Sequence, residues 1–160
     1  MNELKTLLTP RRVVELAFAE CEYMDSSAIS AADIAAAEER YIVPVTGRAL
    51  YEAMLGGDYG EVRDEFAAPA AAAYVRLAMQ PLFDIRTGRF GAVAPRTSYS
   101  EPAERAQILD MRRALRERAR TLLQRLSSRL MASADDIPEY RPENDILNRC
   151  TTYGGLVQIR

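Results

Sequence analysis

Histidine is absent from this 160-residue chain, lysine occurs once, at Lys5, and the two cysteines, Cys21 and Cys150, stand far apart. Without histidine neither a Ser-His nor a Cys-His catalytic pair can be assembled, and the commonest nitrogen ligand of transition metals is missing. Ser26, Ser27 and Ser98 lie in no nucleophile-elbow sequence. No glycine-rich loop leads into a lysine, so the usual phosphate cradle is missing, and the short Gly88-Arg89-Phe90-Gly91 turn reads as a loop tip. The opening residues, Met1 to Leu8, lack the long apolar core of a signal peptide, and two separated thiols then read as reduced side chains. No apolar run approaches the roughly 20 residues needed to cross a bilayer. The expectation is a chain without catalytic residues, metal, cofactor or membrane partner.

Carboxylates are plentiful but badly placed for chemistry. Glu38-Glu39, Asp64-Glu65 and Asp135-Asp136 are adjacent pairs, and neighbours on a helix point about 100° apart, so they do not converge on one ion or one proton. All three read as solvated.

What is present suits one helical domain. Apolar residues make up 48% of the chain and charged residues 28%, and a chain of this length buries roughly 70% of its unfolded surface on folding. Residues 1–66 carry 13 acids against 6 bases, residues 67–134 carry 5 against 12, and residues 135–160 carry 5 against 3. Such a dipole either neutralises itself within one monomer or lets neighbouring copies meet through complementary faces. Twenty of the 21 bases are arginine, a bias that a GC-rich genome also produces.

Thr9-Pro10 reads as an N-cap with proline at the first helical position, opening a helix to about Tyr23. Asp25-Ser26-Ser27 makes a turn, and Ser30 with Asp33 forms a capping box ahead of an apolar face of Ile34, Ala37, Tyr41 and Ile42. Pro44 predicts a bend, since proline disfavours helical geometry at Val43, and Gly47 marks the same bend. A further helix carries Ala49, Leu50, Ala53 and Met54 and stops at Gly56-Gly57. Another starts from Asp58 and Glu61, kinks or splits near Phe66 because of Pro69, holds an alanine-rich stretch that lets a neighbour approach closely, and ends at Pro81. Residues 82–100 read as a long loop or short hairpin.

The longest helix is expected over about Glu101 to Ala132, with Ile108, Met111, Leu115, Ala119, Leu122, Leu126 and Leu130 as its apolar stripe. Arg112, Arg116 and Arg120 recur every four residues beside that stripe. They suit contact with nucleic acid or an acidic protein surface, or form a solvated face balanced by Asp110 and Glu117. A sequence pI near 5.3 favours the acidic protein over DNA. The fold expected is therefore all-α, a helical bundle over residues 1–140 with one long C-terminal helix and a long loop before it. Residues 141–160 form an extended or flexible tail, whose Tyr153, Leu156, Val157 and Ile159 can lie on a neighbouring subunit or add a strand to it.

The spacing Ala37-Glu38, Tyr41-Ile42, Pro44, Gly47, Leu50-Tyr51, followed by Pro81-Leu82, the Gly88 turn and Ile137-Pro138-Glu139-Tyr140, resembles a family of small helical proteins in phages and prophages of Bacteroides-like bacteria. Those are similar to head-to-tail connector, or adaptor, proteins of tailed phages. The resemblance covers about residues 28–140. It implies a structural subunit that forms a ring between portal and tail in the virion neck, assembled in the bacterial cytoplasm. The implied partners are ring neighbours, the portal and neck or tail-completion proteins, with non-specific contact to DNA in the channel. Subunit contacts would then come from Arg112, Arg116, Arg120, the loop tip at Arg89 and Phe90, and the tail residues. The alternative is a cytoplasmic helical binding module that grips an acidic protein or nucleic acid through the arginine-rich helix.

Overall fold

The alanine-rich segment forms the centre of the molecule. In the computed structural model, described for residues 4–19, 24–84, 86–88, 91–93, 105–148, 150–153 and 156–159, seven α-helical segments are found: α1 (Pro10–Ala17), α2 (Ala31–Ala37), α3 (Val43–Thr46), α4 (Arg48–Gly56), α5 (Gly60–Val62), α6 (Ala68–Asp84) and α7 (Arg105–Ala132). Ala70 to Arg76 are buried without interruption, so α6 has no solvent-facing side over two turns; α1, α2 and α7 all pack against it. Methyl side chains make that possible, because they let helix backbones approach closely on every side. The fold is all-α. Two short antiparallel hairpins accompany it, β1 (Arg86–Gly88) with β2 (Gly91–Val93) and β3 (Cys150–Tyr153) with β4 (Leu156–Ile159).

Local caps behave as their residues dictate. Thr9 accepts from the Arg12 amide, Ser30 and Asp33 bond reciprocally, and Gly57, at φ 103°, closes α4. The end of α1 does not follow the expectation: the helix stops at Ala17 instead of running to Tyr23. Phe18 leaves helical geometry and turns its ring into the core, edge-on to Phe83 at 5.9 Å. The buried Arg76 guanidinium donates to the Ala17 carbonyl and lies 4.9 Å over the Phe18 ring, placing a cation at the helix C-terminus. Helix α5 also starts differently, at Gly60 rather than Asp58. Tyr59 precedes it in the left-handed region, φ 52°, and donates its hydroxyl to Glu139.

The prolines bring the largest correction. Pro44 does not break the helix: Val43 is helical at φ −56°, ψ −39°, and the chain turns only at Gly47, φ 78°. The reason is a π-turn over Glu38–Ile42, in which the Val43 amide donates to the carbonyl five residues back, at Glu38. The wider turn makes room where the proline ring would strike the carbonyl four residues before it. Pro69 repeats the device: a π-turn over Arg63–Ala67, with the Ala68 amide on the Arg63 carbonyl, carries the rod into α6 without a break. In both cases the π-turn ends two residues before the proline. Pro81 does not end α6 either; the helix runs to Asp84, its last turn held by Phe83 against Phe18.

Helix α7 has 28 residues, roughly 42 Å at ~1.5 Å per residue. Its buried face is Leu115, Ala119, Leu123, Leu126, Ser127 and Leu130, whereas Ile108, Met111 and Leu122 are only half-buried. Beyond it, Ile137, Tyr140 and Asp145 are buried, and the Ile146 amide donates to the Pro44 carbonyl at 3.0 Å. The packed body thus continues past residue 140 and fastens onto the proline-bearing rod. Among the described residues no helix is long and apolar enough to cross a membrane.

Candidate interaction surface

Helical periodicity alone places the arginines of α7. With buried positions at Leu115, Ala119 and Leu123, residues 116 and 120 fall outside the packed stripe, and Arg116 and Arg120 are exposed, as are Arg113, Arg118 and Arg125. Arg112 is half-buried, with its Nε enclosed and without a hydrogen-bond partner among the described residues. The ladder therefore has two solvent-facing rungs and one sunk rung. Among the described residues none of Arg112, Arg113, Arg116, Arg118 and Arg120 forms an ion pair, and neither Asp110 nor Glu117 pairs with them. Arg120 lies close enough to Tyr74 to act on its ionisation. Burial and the stacked Tyr41 ring, 3.9 Å away between centroids, push the Tyr74 hydroxyl upward, and the Arg120 charge works against them.

Part of the acidic half, in contrast, is engaged with its own bases. Glu15 pairs with Arg11 and Arg12, Glu39 with Arg48, and Asp64 with Arg63. Among the described residues the ion pair that joins the basic segment to the acidic one is Arg129 to Glu61, at 3.3 Å. It sits at the far end of α7. There the start of α5 and the segment after α7 meet: Tyr59 bonds Glu139, and a groove of about 280 Å³ is lined by Tyr59, Glu61, Arg129, Ser133 and Asp136. Asp58, Glu61, Asp135 and Asp136 are exposed around this end.

Two carboxylates expected in water, or not singled out at all, are buried. Glu38 is fully buried; it accepts the Tyr51 hydroxyl at 2.7 Å and the Leu7 amide at 3.1 Å on both oxygens. The solvated reading fails for it and holds for Glu39, which is exposed. A signal was available: Glu38 stands four residues from both Ile34 and Ile42, on the apolar stripe itself. Asp145, also fully buried, accepts Ser127 Oγ at 2.6 Å, Tyr140 Oη at 2.9 Å, the Leu147 amide at 2.9 Å and Asn148 Nδ2 at 3.1 Å. These groups anchor chain segments: Glu38 holds the irregular segment around Leu7 to the first π-turn, and Asp145 holds residues 140–148 to α7. Among the described residues no cluster could hold a metal ion.

Burial raises the Glu38 carboxyl above its ordinary value of 4.5, against the opposing bonds from Tyr51, Leu7 and Leu8. A folded-state value above the unfolded one means that the protonated form favours folding. That contribution is complete below pH 4.5 and is lost as pH rises through the folded value. Glu38→Gln removes the titration, so wild type should gain stability relative to this variant as pH falls from neutral toward 4.5. Urea denaturation of both proteins across that window measures the difference, and a constant gap would refute the assignment.

Arg89 and Phe90 lie outside the described residues. Tyr153 stands in β3, opposite Leu156 of β4, with Val157 opposite Thr152 and Ile159 opposite Cys150. The two strands pair with each other.

Residues 22–149 match the family model described as a family of unknown function, DUF6712. The chain belongs to that family. The match takes in every helix from α2 to α7 and the Asp145 anchor, and ends before the β3–β4 hairpin. No curated protein and no solved structure matches the chain.

Proposed function

We propose that this DUF6712 member is a structural subunit of a tailed-phage or prophage neck, forming a connector ring between portal and tail. The observation that carries the assembly part is the row of exposed arginines on α7 that lack carboxylate partners among the described residues, whereas Glu15, Glu39 and Asp64 pair with bases of their own half of the chain. A cationic face left open on a rigid helix suits an anionic macromolecular surface. The phage part rests on the resemblance of the Glu38 to Tyr51 segment and its companions to head-to-tail connectors. In this reading the mechanism is geometric: a packed wedge of helices presents charged faces that lock neighbours in place, and no bond is made or broken.

Sequencing the DNA on either side of the gene tests the phage part. Packaging, portal and capsid genes on one side with tail genes on the other support it; a metabolic or regulatory neighbourhood moves the binding-module alternative to first place. Replacing Arg112, Arg116 and Arg120 together by alanine should weaken assembly on the portal without unfolding the chain, as read by co-sedimentation and circular dichroism. Unchanged assembly would remove the arginine face from the account.

A further inference from the structure

We infer that the arginine face of α7 docks on the acidic far end of the same helix in a second copy of this chain. The inference rests on the reading of α7 as an assembly surface and names its partner.

Distance forces the pairing to be intermolecular. Arg116 and Ser133 are 17 positions apart on the sequence, so the groove at the end of α7 lies roughly 25 Å along the axis from Arg116. No arginine side chain spans that gap. The two regions therefore cannot neutralise each other inside one monomer except where the helix itself reaches the acidic end, and there Arg129 already holds Glu61 and donates to Ser133.

The two patches are complementary in charge and in form. The exposed guanidinium groups of Arg116 and Arg120 stand one helical turn apart on a rigid rod. At the other end Asp58, Asp135 and Asp136 are exposed, with no ion pair among the described residues. Two separate segments, the start of α5 and the stretch after α7, bring them together, fixed by the Tyr59 to Glu139 bond and by the left-handed Tyr59 backbone. The groove of about 280 Å³ that Asp136 helps to line has room for an arginine side chain. Because the patches differ, the contact can repeat from copy to copy, as a ring or filament requires.

Charge-reversed full-length variants provide the test, followed by sedimentation velocity at high protein concentration. The first carries Arg116→Glu and Arg120→Glu, the second Asp58→Arg and Asp136→Arg. All four positions are exposed, and circular dichroism checks each fold. Wild type should associate at about 0.05 M salt and dissociate by about 0.5 M, where exposed charges are screened. Each variant alone should associate at least about 10-fold more weakly. An equimolar mixture should regain association, since each reversed face then meets an opposite charge. A monomeric wild type, unaffected variants or a mixture that stays apart would overturn the contact. Growth past the dimer supports the ring; a reciprocal closed dimer keeps the contact and removes the ring, so the two readings fail separately.

Discussion

Replacing Asp145 by alanine is expected to cost about 4 kcal/mol of folding stability and to free the segment that follows α7. The carboxylate is fully buried and receives four donors, two of them the buried hydroxyls of Ser127 and Tyr140. Alanine leaves those hydroxyls, and the Leu147 amide, without their acceptor. Each donor stranded in a buried site costs about 1–3 kcal/mol, and a small cavity adds to the loss. The Tyr140 hydroxyl is held in its protonated, donating form by burial and by the adjoining Asp145 charge, which together raise its ionisation well above the ordinary 10.0. The melting temperature should fall by about 10 °C. A glutamyl endopeptidase, which meets an exposed Glu143 beside this anchor, should cleave there much faster. Asp145→Asn retains one acceptor oxygen and should lose less. An unfolding free energy from urea denaturation within about 1 kcal/mol of wild type, with unchanged cleavage, would show that the network is not what holds residues 140–148.

Ala71→Leu tests the other extreme of packing. Ala71 has no exposed surface and lies in the run of α6 that is buried on all sides. Three additional heavy atoms must either push a neighbouring helix outward or adopt a strained rotamer, at about 3 kcal/mol. Helices α1, α2 and α7 all bear on α6, so the displacement should reach the α7 arginine face as well as the core. Thermal melting should register a drop of about 8 °C, and association of the folded protein should weaken although no surface charge has changed. Ala78→Leu, on the same helix but exposed, should leave both almost unchanged. Equal effects at the two positions would contradict close packing as the role of the alanines.

The elements that the sequence discloses are those whose causes are local. Thr9-Pro10, the Ser30 and Asp33 box and the Gly57 cap each involve residues within a turn of one another, and each appears in the structure as its chemistry requires. The prolines mislead because the rule applied to them assumes an unbroken α-helical register. A π-turn two residues upstream of Pro44 and of Pro69 changes that register and removes the clash. Arg76 and Asp145 depend on partners distant in sequence: Ala17 lies 59 positions from Arg76, and Ser127 lies 18 from Asp145. No window along the chain contains both members of such a pair. Glu38 is different, since its place between Ile34 and Ile42 put a carboxylate on the buried stripe in plain view.

The candidate surface divides in the same way. The exposure of Arg116 and Arg120 follows from a period of 3.6 residues, which the sequence carries. The acidic end of α7 does not, because it is assembled from residues 58–61, 135–136 and 139, brought together by the left-handed turn at Tyr59 and its bond to Glu139. Sequence reading finds a dipole in net charge; the fold decides where its two ends lie.

The most direct test of the assembly role is the mass of the complex formed when the purified chain is mixed with the portal protein encoded nearest to its gene. Native mass spectrometry or mass photometry at low salt should show the portal ring carrying a fixed whole number of copies, with few partially loaded rings, and the Arg112, Arg116 and Arg120 triple alanine variant should load poorly. Portal and chain that remain separate, together with strong salt-dependent binding of the chain to DNA or to an unrelated acidic protein, would contradict the account and leave a binding module in its place.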